Sequence, residues 1–196
     1  MPGAGGTVCA VWFGGKSVVF VALLRGINVG GHMVKMDRLR GLFDELGFTQ
    51  VRTYIQSGNV FFETSDDDRA ALTQTIERHL HNALGYMVPV FLRTIPELED
   101  VVSSKPLNDE SITPDIRLCV VFAANPIPTN LALPLWSPKH DIEIIQTRLR
   151  EALVVWHLID GRPPVSQDFL ERSLGSKVTT RFFHTTAKIL QAAKLG

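Results

Sequence analysis

Two hydrophobic periods alternate along the first half of the chain. Val18 to Leu24 is an unbroken apolar run rich in β-branched residues, the pattern of a central strand buried on both faces. Met36, Leu39, Phe43 and Leu46 then recur at helical spacing, and Gly47 stands where a C-terminal cap belongs. Val51 to Ile55 and Val60 to Phe62 are short β-rich runs separated by Gln56-Ser57-Gly58-Asn59, so the pair predicts a hairpin. Ser65 and Asp66 to Asp68 supply capping chemistry for a helix whose inner face is Leu72, Ile76, Leu80 and Ala83, ended by Gly85. Val88 to Leu92 closes the set as a strand, and its Pro89 favours an edge. The order β-α-β-β-α-β is that of the ferredoxin-like split fold.

The second half repeats the theme less cleanly. Thr94-Ile95-Pro96-Glu97 has capping-box form and opens a short helix. Lys105 to Pro114 is the linker candidate, and Ile116 to Phe122 is a strong strand. Asn125 to Pro138 is proline-rich, so any helix there is short. Asp141 to Gln146 pairs with Ala152 to Leu158 across a basic turn, a helix carries Phe169, Leu170 and Leu174, and a last one covers Thr185 to Ala193. The expected fold class is α+β: tandem ferredoxin-like (βαββαβ) α/β-plait subdomains at residues 18–94 and 95–196, the second degraded. Residues 1–17, glycine-rich with one apolar patch, are expected to be a disordered or spurious extension lacking the basic and apolar regions of a secretory signal.

Composition narrows the function classes. Lys+Arg 20 balances Asp+Glu 20, so no bulk field draws the protein to nucleic acid or an anionic membrane. No apolar run approaches the roughly 20 residues of a membrane-spanning helix. Two scattered cysteines, Cys9 and Cys119, fit a reducing compartment, and a cytoplasmic location is expected. No Cys-x-x-Cys or His-Glu-x-x-His spacing occurs, and His79 and His81 face different sides of one helix, so no metal is expected and no cofactor is indicated.

The chemistry concentrates where the first strand ends. The connection 25–35 is longer than the usual βα loop of about 2–6 residues. Gly26 and Gly31 have the spacing of a phosphate-binding P-loop, but His32-Met33 stand where Lys-Ser/Thr is needed. The dinucleotide fingerprint fails at Asn28. What remains is an anion cradle of Arg25, Gly26, Asn28, Gly30 and Gly31 with free backbone N–H groups, against the alternative that Arg25 and Asn28 merely tie the loop down. In the split fold this loop and the hairpin tip emerge at one end of the sheet. Gln56, Ser57, Gly58 and Asn59 should therefore join the site, with the Gly85-Tyr86 connection nearby. Ser57 lacks the Gly-x-Ser-x-Gly elbow of a nucleophile. Lys177 and Arg181 would add positive charge if the halves dock at that end.

"ALLRGINVGG", "MDRLRGLFDELGF" and "VRTYIQSGNVFF" resemble the hallmark of an uncharacterised bacterial family, domain of unknown function (DUF) 1697, with similarity across about residues 18–190. Leu174, Gly175, Thr179, Arg181 and Thr185 in "LGSKVTTRFFHT" resemble its closing pattern. Phe182-Phe183 replace the Asn-Trp the family usually shows, which removes two hydrogen-bonding groups. The resemblance implies tandem ferredoxin-like subdomains and brings no activity or catalytic residues.

Three functions are left. The first is binding of an anionic small molecule, a nucleotide or phosphate ester, at loop 25–31 and hairpin 56–59. The second is RNA or single-strand binding on the sheet through Arg52, Tyr54 and whichever of Phe61 and Phe62 faces away from the helices, if that face is open. The third is a non-catalytic protein-interaction module whose loop locks the subdomains together. The residues do not decide whether the protein is an enzyme.

Overall fold

The computed structural model describes residues 17–28, 30–31, 33–56, 58–104 and 113–195. The first sheet is built from β1 (Val18–Leu24), β2 (Thr49–Tyr54), β3 (Asn59–Thr64) and β4 (Val90–Thr94), in the order β2-β3-β1-β4. Helices α1 (Met36–Asp44) and α2 (Arg69–Leu84) cover one face. The second sheet has the order β6-β7-β8-β5-β9, from β5 (Ile116–Ala123), β6 (Leu135–Trp136), β7 (Ile142–Thr147), β8 (Glu151–His157) and β9 (Val178–Phe182), with α4 (Gln167–Leu174) on its outer face. All pairings are antiparallel.

The second half is the same plait with its first helix missing. Strands β7-β8-β5-β9 take the places of β2-β3-β1-β4, and the proline-bearing 124–134 stretch crosses without a helix. Registers match position by position. Val21 pairs with Arg93 as Val120 pairs with Arg181, and Leu23 with Asn59 as Phe122 with Glu151. Past each strand end the backbone agrees again. Leu24 N–H donates to Gly58 O (2.7 Å) and Ala123 N–H to Arg150 O (2.8 Å); Arg25 N–H donates to Pro89 O and Ala124 N–H to Lys177 O, both at 3.0 Å.

Period-two alternation explains the layers. Phe20, Ala22 and Leu24 enter the core under α1 and α2, while Val21 and Leu23 face the other way. Cys119, Val121 and Ala123 pack under α4, while Val120 and Phe122 turn inward. The two inward faces share one core with α3 (Ile95–Ser103) and α5 (Phe183–Lys194). The aromatic platform of the nucleic-acid reading is therefore interior: Phe61 lies in this shared core and Phe62 under the helices, at 2% and 0% exposure. Arg52 stacks over Phe61 (5.2 Å) and donates from Nη1 to Ala192 O (3.0 Å).

Local signals held with small shifts. Within the capping stretch Ser65 to Asp68, Asp68 is the residue that caps α2, accepting from Ala70 N–H and Ala71 N–H. Glu97 closes the capping box on Thr94 N–H (2.8 Å). Strand β9 and the short β6 were not foreseen. The expectation for the N-terminal extension and the linker falls largely on residues outside those described.

Candidate functional site

Two arginines at equivalent positions clasp the halves together, each reaching into the other subdomain. Arg93 is 1% exposed. Its Nε donates to Glu151 Oε1 and its Nη2 to Ala123 O (2.7 Å) and Arg150 O (2.9 Å). Arg181 donates from Nε to Asn59 Oδ1 (3.1 Å), from Nη2 to Leu24 O (2.9 Å), and from Nη1 to Thr179 Oγ1 and Thr180 O (both 3.0 Å). The contacts are reciprocal, as across a two-fold interface. At one position the arginine meets a carboxylate; at the other it meets an amide oxygen. Burial pulls the Arg181 guanidinium down to about 10.

A cleft of about 470 Å³ opens beside Arg181, lined by Leu24, Arg25, Gly26, Ile27, Asn28, Ile55, Gln56, Thr179 and Arg181. Five of the ten residues expected at the site, Arg25, Gly26, Asn28, Gln56 and Arg181, line it. The rest divide by role. Gly58 and Asn59 are buried beneath it; Asn59 accepts from Arg181 and donates to Tyr54 O (3.1 Å). Gly30 and Gly31 are exposed and do not line the cleft. Ser57 lies outside the described residues.

Asn28 is a brace. Its Nδ2 donates to Gln56 O (2.8 Å) and its Oδ1 accepts Val34 N–H (2.7 Å), so one side chain ties the loop to the hairpin and to its own far end. Tyr86 Oη donates to Ile27 O (3.2 Å), placing the Gly85-Tyr86 connection against the loop as expected. Arg25 is held from the other subdomain. Its Nη1 donates to Glu171 Oε1 (2.6 Å) and Val178 O (2.8 Å). Burial raises the Glu171 carboxyl, but hydrogen bonds from Arg25, Val178 N–H and Gln167 outweigh it and hold the group below its usual range. Arg25 Nε and Nη2 have no hydrogen-bond partner among the described residues.

Ile55, Glu171 and Trp156 were missed. Ile55 ends the strand expected over Val51 to Ile55 but occupies the turn at φ +50°, and no sequence signal marks a β-branched residue for that conformation. Glu171 lies 146 residues from Arg25 along the chain, and Trp156, which lines an adjoining recess with Arg25, comes from β8, so only docking of the halves brings them in. Lys177 lines a different cleft, of about 380 Å³, at the Arg93 end of the junction with Arg69, Arg93 and Arg150. No group of three or more metal-ligating side chains is found among the described residues.

No curated protein matches the chain. Among solved structures it is similar to the conserved bacterial protein SP0830 from Streptococcus pneumoniae. The TM-score is 0.62 at 21% identity, over 91% of this chain and 99% of that one, a likeness of fold. Residues 18–152 match the family described as "Protein of unknown function (DUF1697)". The span includes the Arg25 loop and the whole β2–β3 hairpin, and the chain belongs to the DUF1697 family.

Proposed function

We propose that the protein binds a small anionic molecule, a phosphate ester or nucleotide, in the cleft between loop 25–28, hairpin 55–56 and strand β9. One observation carries this reading. Among the described residues Arg25 is anchored through Nη1 alone, so its remaining edge is pre-oriented at the cleft whose lining also holds Arg181. An oriented guanidinium binds phosphate or carboxylate with little further ordering cost. The described lining offers hydrogen-bond donors and charge without carboxylate, histidine or thiol, so the reading is one of binding.

The test is titration with inorganic phosphate and nucleoside phosphates, read by calorimetry and thermal shift, because a native-state ligand raises the melting temperature. Wild type is expected to bind and Arg25→Ala to lose at least tenfold in affinity. The double variant Arg150→Ala/Lys177→Ala, at the opposite cleft, should bind as wild type does. Loss of binding in the double variant alone, or no binding to wild type, refutes the proposal.

A further inference from the structure

We infer that the ligand of this cleft joins its anionic group to a flat aromatic ring, as a nucleoside 5′-monophosphate does, and that Ile55, Trp156 and Phe182 hold the face of that ring. The inference rests on the binding reading above and adds the chemical class of the ligand. The cleft does not end at Arg181. A second recess of about 340 Å³ shares Ile55 and Arg181 with it and is completed by Trp156, Thr180, Phe182 and Thr185. A smaller one of about 190 Å³ joins Arg25 to Trp156 along Thr179 and Thr180. The anchored guanidinium and the aromatic pair thus border adjoining recesses that share lining residues, each of ligand size or a little less.

Ile55 is the second observation. A β-branched residue at φ +50° is strained in a position that glycine or asparagine would occupy at little cost. The residue is also 50% exposed, so the free protein recovers little burial in return. Strain combined with exposure at a groove is what a side chain held ready for an apolar partner would show. Phe182 stands opposite, 39% exposed and edge-on to Trp156 (ring centroids 5.8 Å apart, 78° between planes). Trp156 Nε1 is buried without a hydrogen-bond partner among the described residues, an uncommon state for an indole donor. Phe182 and Trp156 make this wall of the recess apolar.

The experiment compares inorganic phosphate, phenyl phosphate and adenosine 5′-monophosphate on wild type, Ile55→Gly and Phe182→Ala. Wild type should bind both ring-bearing phosphates at least tenfold tighter than phosphate alone. Ile55→Gly should lose most of that margin and melt no lower than wild type because the strained backbone is relieved. Phe182→Ala should lose the margin as well. If both variants keep the margin, or wild type shows none while still binding phosphate, the ring site is wrong and the anion site stands. If wild type binds none of the three, both fall. Phenyl phosphate binding as tightly as the nucleotide would assign recognition to the ring; a nucleotide preference would add the ribose and base edges.

Discussion

Gly58→Ala is the sharpest test of how the site is built. Gly58 has φ +72°, and a Cβ placed there would lie 2.6 Å from Ile27 Cγ2 and 3.0 Å from Leu24 Cβ. Carbon atoms pack best at about 3.5–4.0 Å, so Ile27 must retreat by about 1 Å. It has little room: Ile27 is buried, and Leu24 is fixed by its own N–H bond to Gly58 O. The left-handed backbone costs an L-residue about 1–2 kcal/mol. Forcing a methyl into a filled space costs about 1–3 kcal/mol, and the stiffer unfolded chain returns about 0.4–1 kcal/mol. The net loss is about 2–4 kcal/mol, or roughly 5–15 °C in melting temperature for a chain of this size. Gly30→Ala is the control, because φ is +63° there but nothing lies within 4 Å of the added carbon. It should cost about 1 kcal/mol. Circular-dichroism melts and urea titrations of both variants read the difference. Ile27→Leu, which removes Cγ2, should restore part of the loss in the Gly58→Ala background. Equal melting of the two glycine variants would refute the close packing of hairpin on loop.

Glu151→Gln leaves Arg93 charged in the interior and should cost about 3–5 kcal/mol in urea unfolding. Glu171→Gln at the half-exposed Arg25 pair should cost no more than about 1 kcal/mol; equal losses would deny the two clasps their different environments. Glu97 is pushed up by burial but held below its ordinary 4.5 by hydrogen bonds from Arg69 and Thr94 N–H. A depressed folded-state value means stability present above about 4.5 and lost as pH falls through the folded value, so Glu97→Gln should flatten the urea midpoint between about pH 5 and about pH 3. Burial pushes the Cys119 thiol up to about 12. Native protein at about pH 8 should therefore leave Cys119 unalkylated by iodoacetamide until denaturant is added, as peptide mass mapping would show.

The first plait was legible because its elements satisfy local rules and tertiary demands at once. The run Val18–Leu24, the stripe Met36-Leu39-Phe43-Leu46 packed against the core and the cap at Gly85 each lie where sequence signals place them. The second plait was harder to see. The 124–134 crossing has no helical period, and Val178-Thr179-Thr180-Arg181-Phe182 forms β9 with only two fully buried residues to betray it. Its strand character comes from pairing with β5, a long-range condition invisible to a local window.

The site divides along the same line. Sequence alone placed loop 25–31 at the hairpin tip, because the order of elements in a split plait sends both to one end of the sheet; Asn28 bonds Gln56 there, while Gly30 and Gly31 do not line the cleft. It could not separate lining from scaffold within that cluster. Asn28 and Asn59 are chemically fit to bind a ligand, yet hydrogen bonds to Val34, Gln56, Tyr54 and Arg181 engage both. Only the tertiary structure decided that Glu171 anchors Arg25 from about 150 residues away, that Arg93 and Arg181 are counterparts, and that Trp156 and Phe182 extend the cleft. Those relations come from two sheets burying their inner faces against α3 and α5. That packing depends on shape and area summed over many residues, and no short stretch of sequence encodes it.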